Sequence, residues 1–125
     1  LKKLSKNNNG FFLMVEGAQI DWGGHDNDTD YLITELLDFD KTIGVALDFA
    51  AKNTETLVIV TADHETGGFT LATDDGNYNK IKPTFSTGGH SATMVPIFAK
   101  GPGEENFGGI YKNTALFQKM MDIFK

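Results

Sequence analysis

The sequence predicts an α/β fold, a layered sheet with flanking helices, and three observations lead there. Short apolar runs alternate with stretches of helical periodicity. The runs end in glycine, carboxylate and imidazole, the kind of strand end beyond which ligands gather in open α/β sheets. The 125 residues are 40% hydrophobic and 22% charged, a composition that suits one compact domain. A chain of this length can bury roughly two-thirds of the surface its unfolded form exposes. It therefore needs no disulfide, and it has no cysteine to make one.

Residues 1–6 (LKKLSK) read as the last turn of a helix, stopped by the Asn7-Asn8-Asn9-Gly10 turn. With no initiator methionine and no signal-peptide core, the numbering is expected to begin inside a longer protein. Residues 11–15 (FFLMV) are continuously apolar, as in a strand buried on both faces of a parallel sheet. A polar, glycine-rich stretch follows over residues 19–27. Residues 29–53 carry the clearest helical pattern. Leu32, Leu36, Phe39, Ile43, Ala46 and Ala50 recur at spacings of three and four, with Asp28 or Thr29 as the cap and Asn53 at the end. Residues 56–61 (TLVIVT) form a second buried-type strand, ending at Ala62-Asp63-His64. A Gly67-Gly68 turn leads into Phe69-Thr70-Leu71, and residues 73–89 are loop-like. Residues 95–99 read as a strand with Pro96 at its beginning or on an edge. Residues 113–124 form a final helix with Leu116, Phe117, Met120, Met121 and Phe124 on one face.

The net charge of −6 argues against a basic nucleic-acid-binding face. No segment reaches the ~18 consecutive apolar residues of a membrane span. All eleven basic residues are lysine, so the chain offers no bidentate guanidinium clamp for phosphate. Bound divalent metals would reverse the acidic sign locally.

The chemistry-bearing residues fall at the strand ends. Glu16 closes the first run, and Asp21 and His25 lie in the glycine-rich stretch after it. Asp63 and His64 close the second run. His90 precedes the third, after Gly88-Gly89, and completes the set of three histidines. Asp21 and His25 are spaced to face one ion if the segment curls into a helical turn. Asp63 and His64 can share an ion only if the chain leaves the extended state there, because neighbouring strand side chains point to opposite faces. Imidazole with carboxylate suits zinc; carboxylate alone suits magnesium. Taken singly, an Asp–His pair in a loop is usually a surface feature, Glu16 a solvated turn acid and Trp22 a packing residue. Their joint occurrence at three strand ends is what favours a metal site.

These residues resemble a known family. Val15-Glu16-Gly17-Ala18-Gln19-Ile20-Asp21 with His25 is similar to the VEGxxID…H segment of alkaline phosphatases. Thr61-Ala62-Asp63-His64-Glu65 is similar to their TADH segment. Gly89-His90-Ser91, followed by Val95-Pro96-Ile97-Phe98-Ala99-Lys100-Gly101-Pro102, resembles their final histidine motif and the strand after it. The resemblance runs from Phe11 to the C-terminal helix. It implies that residues 1–125 form a single domain, the C-terminal fragment of such a phosphatase's catalytic domain, about its last quarter to third. It further implies two zinc ions and one magnesium ion. Asp21, His25 and His90 would hold the first zinc, Asp63 and His64 the second, and Glu16 would contribute to the magnesium site. Trp22 would stand on the substrate side, at a position where family members vary.

The family's serine nucleophile lies in an Asp-Ser-Ala type motif, which is absent here; Ser5, Ser86 and Ser91 sit in other contexts. The expected activity is hydrolysis of phosphate monoesters by the parent enzyme, with this fragment inactive alone. The expected partners are the substrate, the remainder of the parent chain and a second subunit of a homodimer. The expected location is the periplasm or outside the cell. Two other readings stand beside this one: a non-catalytic metal-binding domain, and a phosphodiesterase or sulfatase of the same superfamily.

Overall fold

The computed structural model describes residues 1–124. Its longest element, α2 (Thr29–Lys52), starts at the expected cap: the Asp28 carboxylate accepts from the Tyr31 N–H at 3.0 Å. Just before it lies α1 (Ala18–His25), within the stretch read from sequence only as polar and glycine-rich. Its ending explains why a helix forms there. Asn27 adopts the left-handed conformation, with φ of 51°. The Asn27 N–H donates to Gly24 O at 3.2 Å and the Asp28 N–H to Gly23 O at 3.0 Å, a Schellman closure. The three residues Asp26-Asn27-Asp28 thus end one helix and cap the next. Gly23 lets the two helices touch backbone to backbone, because a Cβ there would sit 2.8 Å from the Leu32 Cα. Leu32, 6% exposed, is buried beneath that crossing.

The strands pair antiparallel in three two-stranded units. β1 (Val58–Thr61) lies beside β6 (Ile97–Lys100), with Val58 opposite Lys100 and Thr61 opposite Ile97. β2 (Glu65–Thr66) lies beside β5 (His90–Ser91). β3 (Thr70–Asp74) lies beside β4 (Asn77–Thr84). The β1 and β6 positions agree with the sequence expectation. The β3–β4 hairpin corrects it, since the sequence of residues 73–89 is loop-like and most of them are in strands. Asp75 (φ 47°) and Gly76 (φ 78°) make the two-residue turn with both central residues left-handed, the hairpin signal an Asp-Gly pair carries. α3 (Ala115–Ile123) matches the expected last helix. It packs on a short 3-10 turn, Glu104–Phe107, whose Phe107 is 2% exposed. The Gly101 N–H and then the Lys100 ammonium hold the Glu104 carboxyl below its usual range.

Residues 11–15 depart from expectation. They pair with no strand among the described residues, and Phe12 and Met14 are 63% and 76% exposed. An all-apolar strand is shielded by neighbours on both edges and both faces; the described residues supply no such flanks. The same shortfall appears in the total surface. The structure exposes 9352 Å², where a compact monomer of this mass exposes about 6,600 Å² and the extended chain about 19,900 Å². Burial therefore reaches about half of the extended surface rather than the expected two-thirds. Leu37 and Val45 on α2, Leu71 and Ile81 on the hairpin and Phe117 on α3 all lie open. No helix among the described residues is long and apolar enough to cross a membrane.

Candidate metal centre

Helix α1 brings Asp21 and His25 onto one face, with the Asp21 carboxylate 3.5 Å from His25 Nε2. The β2–β5 pairing carries His90 to the same place. Its Nε2 lies 3.2 Å from His25 Nε2 and 3.6 Å from Asp21 Oδ1. These three separations can be compared with an ion's requirement. A tetrahedral ion with arms of about 2.0–2.1 Å has ligand–ligand edges of about 3.3–3.4 Å. The 3.2 Å between His25 Nε2 and His90 Nε2 comes close to that, and the Asp21 carboxylate gives one oxygen to each imidazole, Oδ2 at 3.5 Å from His25 and Oδ1 at 3.6 Å from His90.

The Asp63–His64 pair adjoins this cluster. The chain leaves the extended state after Thr61, as sharing an ion requires, and Asp63 Oδ2 comes within 3.4 Å of His64 Nε2. The His64 ring stacks on His90 with centroids 3.5 Å apart. Asp21, His64 and His90 each present a donor atom, mutually within 4.8 Å.

The outer contacts decide which nitrogens are free. His25 Nδ1 lies 2.8 Å from Gly88 O. A carbonyl only accepts, so Nδ1 carries the proton and Nε2 keeps its lone pair for the cluster. Thr66 does the same for His64. Its hydroxyl donates to Asp21 Oδ1 at 2.6 Å and so accepts from His64 Nδ1–H at 3.2 Å. The sequence reading missed Thr66. The signal exists only in the strand register, which sets Thr66 opposite His90.

The loop carrying His90 is tied to the turn after β2. Gly67 O accepts from Ser86 N at 3.0 Å and Thr87 N at 3.1 Å, and Gly67 N donates to Gly89 O at 2.9 Å. Gly67 needs its freedom: φ is +86°, and a Cβ would stand 2.8 Å from Gly24 O. Beside this turn the Glu65 carboxylate accepts from the Ser91 hydroxyl and, at 3.0 Å, from the Phe69 N–H. The Ser91 bond foremost, then the backbone N–H groups, hold its carboxyl below the usual range.

Two predicted residues stay outside the cluster. Glu16 is exposed, and among the described residues it makes no hydrogen bond or ion pair with the others. Trp22 follows Asp21 on α1 and is 57% exposed. The Ser91 hydroxyl is committed to Glu65 and that of Ser5 donates to Lys2 O.

Comparison with known proteins fits this arrangement. The alkaline phosphatase family model matches residues 1–85. Alkaline phosphatases 3 and 4 of Bacillus subtilis are 54% and 53% identical, each match taking in 100% of this chain and 42% of the relative. Streptomycin-6-phosphate phosphatase of Streptomyces griseus is 39% identical over 86% of this chain and 28% of its own length. The solved alkaline phosphatase of the Antarctic bacterium TAB5 superposes with a TM-score of 0.92 at 58% identity, over 97% of this chain and 37% of that one. A mutant of the TAB5 enzyme with magnesium bound in its M3 site gives 0.93 over 98% and 38%. The chain thus spans well under half the length of these relatives. On the family match, on identity above one half along the whole chain and on the shared fold, this chain belongs to the alkaline phosphatase family.

Proposed function

We infer that this chain is the metal-holding part of an enzyme that hydrolyses phosphate monoesters. The observation that carries the reading is the gathering of the Asp21 carboxylate, His25 Nε2 and His90 Nε2 within 3.2–3.6 Å of one another. In this reading those three residues hold a zinc ion. Asp63 and His64 supply two ligands of a second zinc, and Glu16 contributes to a magnesium site. When bound, such ions offset charge on the phosphoryl oxygens and ease ionisation of the attacking group. The chain's own part is to fix the tautomers and aim of the ligands: Gly88 O orients His25, and Thr66 orients Asp21 and His64 together. Trp22, open beside Asp21, would flank the substrate. The open apolar surface favours burial against the remainder of a longer chain. A homodimer and export to the periplasm or the medium belong to the same proposal.

Thr66→Val tests the orienting role. It keeps the shape and removes the hydroxyl, and zinc affinity should fall about 10- to 100-fold, the usual cost of losing an outer partner of metal ligands. Competition against a chromophoric chelator measures this; affinity within twofold of wild type would refute it. The function itself is tested with a full-length protein carrying this chain. Phosphate release from a monoester should exceed that from a diester, and His90→Ala should abolish most of it. Preference for a diester or a sulfate ester would move the protein to the neighbouring activities of the superfamily. Metal binding without turnover on any ester would make it a binding domain.

A further inference from the structure

The geometry points to Glu65 as a positioning residue that fixes His90 at the metal site through Ser91, an inference that rests on the reading of Asp21, His25 and His90 as one site. The β2–β5 ladder has two residue pairs, Glu65 opposite Ser91 and Thr66 opposite His90. Directly opposed side chains share a face, and successive ones alternate. The Thr66–His90 pair therefore faces Asp21, and the Glu65–Ser91 pair faces away from it. Among the described residues the His90 ring meets only the other members of the cluster, Asp21, His25 and His64. The His90 side chain is 49% exposed.

On the far face the Glu65 carboxylate brackets two segments. One oxygen accepts from the Ser91 hydroxyl and the other from the Phe69 N–H at 3.0 Å. Hydrogen bonds to an ionised carboxylate are about twice as strong as neutral ones. The bracket joins the residue after His90 to the turn after β2, where Gly67 already holds the loop that precedes His90. His90 is thereby pinned from both sides along the chain, and Glu65 acts on the metal without touching it.

The test is Zn²⁺ affinity by chelator competition, with Co²⁺ visible absorption as a signature of coordination. The variants are Glu65→Ala, Glu65→Gln and Ser91→Ala, each alone and combined with His90→Ala. Glu65→Ala and Ser91→Ala should each weaken Zn²⁺ binding about 10- to 100-fold and diminish the tetrahedral Co²⁺ band. Glu65→Gln should restore most of the affinity, since its amide can accept from Phe69 N–H and donate to Ser91 Oγ. Combined with His90→Ala, none of the three should have a further effect beyond about twofold, because two changes that act through one interaction are not additive. Binding that His90→Ala removes but Glu65→Ala and Ser91→Ala leave within twofold overturns the inference alone. Equal weakening with and without His90 also overturns it, showing a general effect on folding. Absence of Zn²⁺ binding by the unmodified chain overturns the metal-site reading and this inference with it.

Discussion

Purified away from host phosphatase, the 125-residue chain should release no phosphate from a monoester at alkaline pH, even with zinc and magnesium added. Phosphoryl transfer depends on positioning the nucleophile and stabilising charge on the transferred group. In the proposed reading the bound ions would offset part of that charge, but these residues supply neither a positioned nucleophile nor a guanidinium for the phosphate. There is no arginine to grip the phosphate, and the Ser91 hydroxyl is spent on Glu65. Catalytic groups act as a unit, so losing one member can already remove most of the rate. Asp21→Ala is the control: contaminating activity survives it, and activity of the chain does not. Turnover approaching the ~1–10³ s⁻¹ of ordinary enzymes, abolished by Asp21→Ala, would show that the chain is an enzyme by itself.

The second large effect concerns metal affinity. Calorimetric titration with zinc should show one dominant event, and His90→Ala should weaken it more than the ~10- to 100-fold expected for an outer partner. Asp63→Ala should cost much less. In the proposed reading, Asp21, His25 and His90 would give one ion three protein ligands, whereas Asp63 and His64 would give a second ion only two. Asp63 is also the more open, its side chain 86% exposed against 36% for Asp21. Equal losses from His90→Ala and Asp63→Ala would contradict this ranking.

What the sequence disclosed and what it hid follow from the range of the interactions involved. Helix α2 was legible because its cap and apolar face are local. The Asp21–His25 spacing was legible because it needs only one turn of helix. Helix α1 is hard to see in the sequence because its eight residues draw no amphipathic face, and its stability comes from Gly23 packing on Leu32 and the Asn27 closure. The β3–β4 hairpin was missed because its strands are mostly exposed and polar, although Asp75-Gly76 announced the turn. Residues 11–15 were read as a buried strand from their apolarity alone. That run states what the segment wants to bury, and the chain's described residues do not supply the cover. Thr66 and Glu65 could not be found without the β2–β5 register, because each acts on a partner brought near by pairing rather than by sequence.

Whether Asp21, His25 and His90 meet at one ion is decided by a zinc-soaked crystal structure of the chain. One zinc is expected, with the Asp21 carboxylate, His25 Nε2 and His90 Nε2 each at about 2.0–2.2 Å and His25 Nδ1 still on Gly88 O. A zinc ion held elsewhere, or the three side chains turned to separate faces in its presence, would contradict it.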